Sequence, residues 1–298
     1  MNYDHAFHAG NAADVLKHAV LALLLDRLRQ KPTPFFVLDS HAGAGRHDLG
    51  GEAAQRSGEA AAGILRLWPK RGDFPELATW LDTIAGLNPP PDGEAGELAP
   101  TLYPGSPLLA AAALRPDDRL VLVEGAEAPS IALRRLFGRD RRVALHRRDA
   151  WEALGALLPP RPPLPRRGLV LIDPAFEAAD EFARLGEAVV TAARRWPGGM
   201  IMAWYPVKEG NQVRDFMVDL AASGLTAVLR VEMMFRAVSR DGWQGAGLAG
   251  CGLILVRPPW QLDSQIAALL PRLGKAMGLP VGGGCVEWLV PEGPAETD

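Results

Sequence analysis

The residues best suited to chemistry follow an apolar segment near the middle of the chain. Residues 169–172 read Leu-Val-Leu-Ile and are followed at once by Asp173, Pro174, Ala175 and Phe176. The apolar segment predicts a buried strand of a parallel sheet, and Pro174, which lacks a backbone N–H, ends it. A carboxylate, a free carbonyl and an aromatic ring therefore meet at a strand end, where open α/β sheets bind ligands. Asp173 and the Pro174 carbonyl can accept the two N–H bonds of an exocyclic amino group while Phe176 stacks on the base.

Residues 169–176 would also fit an ordinary strand-to-helix turn, but a glycine-rich turn early in the chain favours a ligand site. Residues 35–38 are apolar, Asp39 follows them, and residues 40–46 read Ser-His-Ala-Gly-Ala-Gly-Arg. A strand followed by such a turn lets the backbone approach a nucleotide closely. The dinucleotide fingerprint needs a third glycine where this chain has Asp48, so a nicotinamide cofactor is disfavoured.

Two further polar residues follow or begin predicted elements. Glu124 comes directly after the apolar residues 120–123, and an acid at that strand end accepts hydrogen bonds from ribose hydroxyls. Ser106 and Pro107 predict the start of a helix over 108–114, with Ser106 as its N-cap. This structural role accounts for Ser106, and a ligand contact would be additional.

The N-terminal region predicts a helix over residues 12–30. Asn11 is a suitable N-cap, and the charge of Asp14 favours the helix N-terminus. Lys17 and His18 lie beside the apolar face of this helix, where we expect them at its rim. The histidines that precede the helix have no cluster of acids or cysteines beside them, so no metal site is predicted.

Composition limits the class of protein. The chain has 298 residues, of which 48% are hydrophobic and 22% are charged, as in ordinary globular proteins. No apolar run approaches the length of a membrane span and no secretory signal is visible, so we expect a cytoplasmic protein without membrane contact. Two cysteines are too few for a disulfide framework or a zinc site. The sequence shows no dimerisation helix, so we expect a monomer.

Positive charge is concentrated in one segment although the formal net charge is −3. Residues 134–167 contain ten arginines and three acidic residues, which gives the segment a formal charge of +7. This local excess predicts a nucleic-acid surface. An arginine-rich surface that is merely solvated explains it equally well.

The order of the elements predicts an α/β fold with an insertion. The stretch between the first two strands is too long for a single crossover helix, so we interpret residues 49–102 as an inserted helical subdomain. Residues 1–48 and 103–298 then form the main domain. Further strands are predicted at 142–146, 200–204, 225–231, 252–256 and 286–290, and further helices at 177–195, 211–223 and 258–279. The glycine-rich residues 236–250 would form a loop over the pocket.

Five motifs together resemble one family. They are residues 7–18 (Phe-His-Ala-Gly-Asn-Ala-Ala-Asp-Val-Leu-Lys-His), 38–46 (Leu-Asp-Ser-His-Ala-Gly-Ala-Gly-Arg), 103–107 (Tyr-Pro-Gly-Ser-Pro), 173–176 (Asp-Pro-Ala-Phe) and 204–206 (Trp-Tyr-Pro). The chain resembles the bacterial 23S ribosomal RNA adenine-N6 methyltransferases of the J type over nearly its whole length. The resemblance implies a Rossmann-like class I methyltransferase sheet, S-adenosylmethionine as cofactor, and N6 of an adenine in 23S ribosomal RNA as the methyl acceptor.

The resemblance also implies roles for single residues. Asp173 matches the catalytic acid, with Pro174 and Phe176 completing the catalytic motif, and Tyr3 matches a tyrosine that meets the RNA. The positions that line the cofactor correspond to Lys17, His18, His41, Gly43, Ser106, Glu124, Asp149 and Ala150. Ala150 replaces a glycine of the family pattern, and Ala175 replaces a second proline.

Three alternatives remain open at this point. A DNA adenine methyltransferase would share the catalytic motif, and a catalytically silent RNA-binding assembly factor would share the fold. A nicotinamide dehydrogenase has the least support because of the missing glycine. The sequence does not specify which adenine is modified, or whether the substrate is naked RNA or an assembling particle.

Overall fold

The computed structural model describes residues 5–90, 98–208, 211–236, 248–279 and 284–293. The strands within these ranges are β1 (Phe36–Asp39), β2 (Arg46–Asp48), β3 (Leu102–Pro104), β4 (Arg119–Val123), β5 (Val143–His146), β6 (Gly168–Ile172), β7 (Gly199–Val207), β8 (Val228–Met234), β9 (Gly250–Val256) and β10 (Gly284–Val290). The α-helices are α1 (Ala12–Arg29), α2 (Glu52–Ser57), α3 (Ile64–Leu67), α4 (Ala78–Leu87), α5 (Ser106–Ala113), α6 (Glu127–Phe137), α7 (Ala150–Leu157), α8 (Glu181–Arg195), α9 (Gln212–Ala222) and α10 (Leu262–Met277).

Eight of these strands form one central sheet in the order β10-β8-β9-β7-β6-β1-β4-β5. The strands β5, β4, β1, β6 and β7 run parallel to their neighbours in that group. β9 lies antiparallel between β7 and β8, and β10 pairs antiparallel with β8 at the edge. This arrangement confirms the predicted α/β class and the Rossmann-like class I methyltransferase sheet. Because the chain leaves β1 first toward β4 and returns on the β6 side, the ligand crevice of such a sheet falls at the carboxyl end of β1.

Helices cover both faces of the sheet. One buried cluster joins α1, α5, α10 and the helices of residues 49–102 to one face, and another joins α7, α8 and α9 to the opposite face. α1 packs against α4, α5 and α10 as well as the sheet, so of its residues only Asp26, Arg27 and Arg29 are not buried. The predicted rim position of Lys17 and His18 is therefore wrong. Lys17 is buried against Asp173 after β6, and His18 is buried against Tyr103 and Trp80.

Residues 49–102 begin and end at a short antiparallel ribbon. In this ribbon β2 pairs with β3, and Arg46 lies opposite Pro104. The helical pieces of residues 52–67 are short and are separated at Gly58 and Gly63. Gly63 allows a close approach to the N-terminal segment, since a Cβ at this position would lie 2.1 Å from the carbonyl oxygen of Gly10. This contact ties the segment before α1 to the inserted helices.

Several predicted boundaries shift in the structure. Helix α8 begins at Glu181 rather than at residue 177, and β7 extends beyond the predicted 200–204. The predicted edge strand is present as β10. The loop predicted to cover the pocket lies largely outside the described residues, as residues 237–247 are not part of them. Among the described helices, none is long and apolar enough to cross a membrane.

Candidate active site

Four acidic residues lie at the carboxyl edge of the parallel strands. Asp39 is the last residue of β1, Glu124 and Asp173 directly follow β4 and β6, and Asp149 follows β5 by three residues. Because these strands are neighbours in the sheet, their ends open onto one crevice. The structure therefore brings together the acids that the sequence placed at separate strand ends.

Asp173 forms an ion pair with a lysine of the first helix. Lys17 Nζ lies 2.7 Å from Asp173 Oδ2 and 2.8 Å from Asp14 Oδ1, and the side chain of Lys17 is only 7% exposed. Burial alone would lower the pKa of Lys17, but its two ion pairs outweigh burial and hold the pKa above the usual value. A buried lysine is tolerated here because two carboxylates compensate its charge.

Asp14 connects this ion pair to the N-terminal segment. Its Oδ2 lies 3.0 Å from His5 Nε2 and also accepts a hydrogen bond from the backbone of Gly10. Although burial opposes ionisation, His5 and Lys17 hold the pKa of Asp14 well below its usual range. The sequence indicated Asp14 only as a favourable charge near the start of α1. Its spacing of three residues from Lys17, which places the two side chains on one face of a helix, could have revealed the pair.

The Asp-Pro-Ala-Phe segment has an unusual backbone at its aromatic residue. Phe176 has φ of 54°, a left-handed conformation that a bulky side chain rarely adopts. Its ring packs edge-on against Phe182 and Trp204, with centroids 4.8 and 5.8 Å away. Strained backbone of this kind persists only where packing holds it. These contacts fix the direction of the ring beside Asp173.

The glycine-rich turn after β1 is held by Glu124. Glu124 Oε2 accepts a hydrogen bond from the backbone N–H of Gly43 at 2.9 Å, and Oε1 accepts one from Ala126 at 2.7 Å. Gly43 has φ of 61°, and a Cβ added there would meet no heavy atom within 4 Å. The turn therefore leaves an open space above its backbone. Each carboxylate oxygen of Glu124 retains a lone pair for a further donor such as a ribose hydroxyl.

Ser106 has a role that the sequence did not predict. Gly105, not Ser106, is the N-cap of α5, and Ser106 Oγ donates a hydrogen bond to Asp39 Oδ2 at 2.6 Å. The N-cap prediction is wrong because the serine is already the first residue of the helix and faces the end of β1. Burial raises the pKa of Asp39 to about 7, against the opposing effect of the Ser106 hydroxyl.

His41 lies at the crevice, and its hydrogen bonds select one tautomer of the ring. Its Nδ1 lies 2.9 Å from Ser40 Oγ, and that hydroxyl donates its proton to the carbonyl of Leu171. Because the hydroxyl has a single proton, His41 Nδ1 has to be the donor, which leaves Nε2 as an acceptor. Burial lowers the pKa of His41 to about 4. Its ring contacts Trp151 edge-on at 5.0 Å, an aromatic neighbour that the sequence analysis did not single out.

His18 lies deeper than the other predicted cofactor residues. It is 1% exposed, its Nδ1 is 2.8 Å from the hydroxyl of Tyr103, and its ring lies near Trp80. Burial lowers the pKa of His18 to about 3. Its Nε2 is buried and has no hydrogen-bond partner among the described residues. An unpaired buried polar atom is costly, so this nitrogen is suited to a ligand contact.

Asp149 and Ala150 form the start of α7. Asp149 is the N-cap and accepts a hydrogen bond from the backbone N–H of Glu152 through Oδ1 at 2.9 Å. The capping role explains the residue type, and the second carboxylate oxygen stays available to a ligand. Tyr3, the predicted RNA contact, lies outside the described residues.

The crevice offers hydrogen-bond acceptors of the kind that bind a nucleoside. The open space at Gly43 lies beside Glu124, and Asp149 follows the neighbouring strand, so hydrogen-bond acceptors flank this space. Within the described part of the chain, no group of three or more histidine, cysteine, aspartate or glutamate side chains could hold a metal ion.

Comparison with known proteins places this geometry in a family. The family model described as Ribosomal RNA large subunit methyltransferase D, RlmJ, matches residues 32–290. Proteins named Ribosomal RNA large subunit methyltransferase J from Escherichia coli K12 and Haemophilus influenzae are each 38% identical to this chain, over 98% of it and 100% of their own length. A crystal structure from Legionella pneumophila is 30% identical, covers 94% of this chain and 97% of its own, and superposes with a TM-score of 0.80. The chain therefore belongs to the RlmJ family of ribosomal RNA large subunit methyltransferases.

Proposed function

We propose that this protein transfers a methyl group from S-adenosylmethionine to N6 of an adenine in 23S ribosomal RNA. The observation that carries the proposal is the position of Asp173, Pro174 and Phe176 at the carboxyl end of β6, beside the open turn at Gly43. Membership in the RlmJ family and the names of the two bacterial relatives support the same reaction.

The residues proposed to hold the cofactor surround this turn. Glu124 accepts from the ribose hydroxyls, Asp149 accepts from the adenine amino group, and His18 Nε2 gains the partner it lacks. The complete proposed set is Lys17, His18, His41, Gly43, Ser106, Glu124, Asp149 and Ala150. When bound, the cofactor supplies a methyl group already activated by a sulfonium, so no covalent enzyme intermediate is needed.

Asp173 and Pro174 prepare the target nitrogen. Lys17 holds Asp173 through Oδ2 at 2.7 Å, and no hydrogen bond from a described residue occupies Oδ1. Oδ1 can therefore accept one proton of the adenine amino group, and the Pro174 carbonyl can accept the other. These bonds would favour a pyramidal nitrogen with its lone pair free to attack. The N–C bond would form as the sulfonium S–C bond breaks, Asp173 would stabilise the positive charge on nitrogen, and the surplus N6 proton would pass to Asp173 or to water.

Phe176 stacks on the adenine, which has to leave any base pair before it reaches this depth. Other expectations from the sequence stay predictions: a contact of Tyr3 with the RNA, residues 49–102 as a separate subdomain, a monomer, a cytoplasmic location and catalysis without a metal ion.

The test is nucleoside mass spectrometry of unmodified 23S ribosomal RNA after incubation with the protein and S-adenosylmethionine. We expect new N6-methyladenosine with the wild type. With Asp173→Asn we expect turnover to fall at least ~100-fold, as for loss of a positioned polar catalyst, with cofactor affinity within about three-fold. A DNA oligonucleotide of matching sequence tests the DNA methyltransferase alternative. Cofactor binding without any methylated RNA would contradict the proposal, and near-normal turnover of Asp173→Asn would contradict the role of the carboxylate.

A further inference from the structure

The arginines of residues 134–167 do not form the single patch that the sequence suggested. Arg147 and Arg148 follow β5, at the same edge of the sheet as Asp173, and each forms an ion pair with a glutamate. Helix α6 instead runs from the carboxyl end of β4 back toward the start of β5. The arginines in its last turn and in the following loop therefore lie at the opposite edge, where the parallel strands begin.

Three arginines at this amino-terminal edge are part of the fold. Arg115 bonds to the buried Asp118, Arg142 bonds to Asp140, and Arg167 donates to the carbonyl of Leu28 at the end of α1. These side chains hold the starts of the strands together. Their positive charge is largely compensated or directed into the protein.

Six other arginines near this edge do not hold the strands together. Their side chains are exposed and form no hydrogen bond or ion pair with any residue that the structure describes. These arginines are Arg134, Arg135, Arg139, Arg141, Arg161 and Arg166.

A second helix provides a comparison in which arginines at the same location bond to the rest of the fold. Helix α8 also ends at the amino-terminal edge, and its last turn also carries two arginines. Arg194 donates to the carbonyl of Ser223 and Arg195 donates to that of Leu158. The matching pair in α6, Arg134 and Arg135, has no acceptor among the described residues. A favourable interaction with the helix dipole explains both pairs, but it does not explain why only one is left unpaired.

We propose that Arg134, Arg135, Arg139 and Arg141 form a second RNA contact surface that binds phosphates flanking the target adenine. This inference rests on the proposed function, since it takes the substrate to be a long RNA. Free guanidinium groups match the geometry of phosphate oxygens, and phosphate contacts position an RNA without reading its sequence. Because the net charge of the chain is −3, a local surface has to supply the attraction.

The position of this surface defines which RNA it can reach. Asp173 and the start of β5 are separated by the length of a strand and by three strand spacings, which is roughly 20–25 Å. An RNA that only fills the catalytic crevice does not span this distance. An RNA that continues past the β5 edge of the sheet does.

The test compares two double variants with the same loss of charge. Arg134→Gln with Arg135→Gln removes half of the proposed surface, and Arg194→Gln with Arg195→Gln is the matched control at the end of α8. Each is assayed with a short hairpin that carries the target adenine and with a long fragment of 23S ribosomal RNA. Dissociation constants are measured between 50 and 300 mM salt together with kcat, KM and the melting temperature.

For the test variant we expect the dissociation constant of the long RNA to rise roughly ten-fold or more at 150 mM salt. The slope of log K against log salt should become shallower by about 1.5, because two phosphate contacts are lost. Affinity for the hairpin, kcat and the melting temperature should stay close to wild type. The control should lower the melting temperature, since it loses two hydrogen bonds to carbonyls, and should retain the salt slope.

An unchanged salt slope in the test variant, or an equal loss of RNA affinity in the control, would overturn the inference. An equal loss for the hairpin would also overturn it, because that result would place the arginines at the crevice. The binding measurement does not depend on methylation. Wild-type protein that binds long RNA through these arginines without methylating it would contradict the proposed function and leave the surface supported.

Discussion

Asp39 should make the protein less stable as pH rises from about 4 to 7. The carboxyl group is 1% exposed, and burial raises its pKa to about 7 from an ordinary value of 3.8. The folded state therefore holds this proton more tightly than the unfolded state does. The stabilising contribution is complete below about pH 4, decreases as pH rises toward 7, and is absent above that value.

The size of the effect follows from the difference in pKa. A rise of about three units corresponds to about 4 kcal/mol of unfolding free energy. The wild-type curve alone will not show this, because burial lowers the pKa of His18 and His47 to about 3 and that of His41 to about 4. Those histidines add a slope of opposite sign, since the unfolded state binds their protons more tightly.

Substitution of Asp39 by asparagine isolates the effect. The asparagine amide keeps an acceptor for the backbone N–H of His41 and a polar contact with Ser106, but it does not ionise. Urea unfolding of both proteins at constant ionic strength gives the difference in unfolding free energy at each pH. We expect Asp39→Asn to gain stability relative to wild type by up to about 4 kcal/mol between pH 4 and pH 8.

Asp118→Asn provides the control. Asp118 is equally buried, but hydrogen bonds from Arg115 and from the backbone outweigh burial and lower its pKa. Its substitution should therefore destabilise the protein at neutral pH, by an amount that shrinks as pH falls. A difference between Asp39→Asn and wild type that stays constant from pH 4 to 8 would refute the reasoning.

Three further changes probe other parts of the site. Lys17→Met removes the cation beside Asp173, so one partner of a buried ion pair is lost. It should lower the free energy of unfolding by about 3 kcal/mol and reduce kcat at least ~10-fold. A urea unfolding curve of the variant that coincides with that of the wild type would contradict this. Gly43→Val fills the open space above the turn and strains its left-handed backbone, so calorimetry should show cofactor affinity at least ~10-fold weaker; unchanged affinity would move the cofactor elsewhere. Gly252→Ala would put a Cβ 2.1 Å from the Tyr205 ring and should cost about 2 kcal/mol in urea unfolding; a neutral result would mean that the ring moves freely.

The Asp-Pro-Ala-Phe segment at residues 173–176 illustrates what local sequence can predict. A run of four apolar residues that stops at Asp173 and Pro174 encodes both a buried strand and its end, because proline cannot continue the ladder. The same argument located Glu124 and the glycine turn. Since parallel strands share one carboxyl edge, identifying the strands was enough to bring these residues together.

Other features of the site depended on packing between distant segments. Lys17 and Asp173 are 156 residues apart, and Ser106 and Asp39 are 67 apart. Nothing in the local pattern around Lys17 distinguishes a rim lysine from a buried one. Its burial follows from the packing of α1 against the end of β6, where Lys17 meets Asp173.

The arginines show the same division between sequence and structure. The sequence determined the excess of positive charge in residues 134–167, the strands, the glycine turn and the place of Asp173 at a strand end. Each of these follows from residues close together in the chain. Only the tertiary structure decided that Arg147 and Arg148 lie at the edge of the sheet that carries Asp173, while Arg134 and Arg135 lie at the opposite edge. A helix reverses the direction of the chain between two parallel strands, so charges a few residues apart reach opposite ends of the sheet.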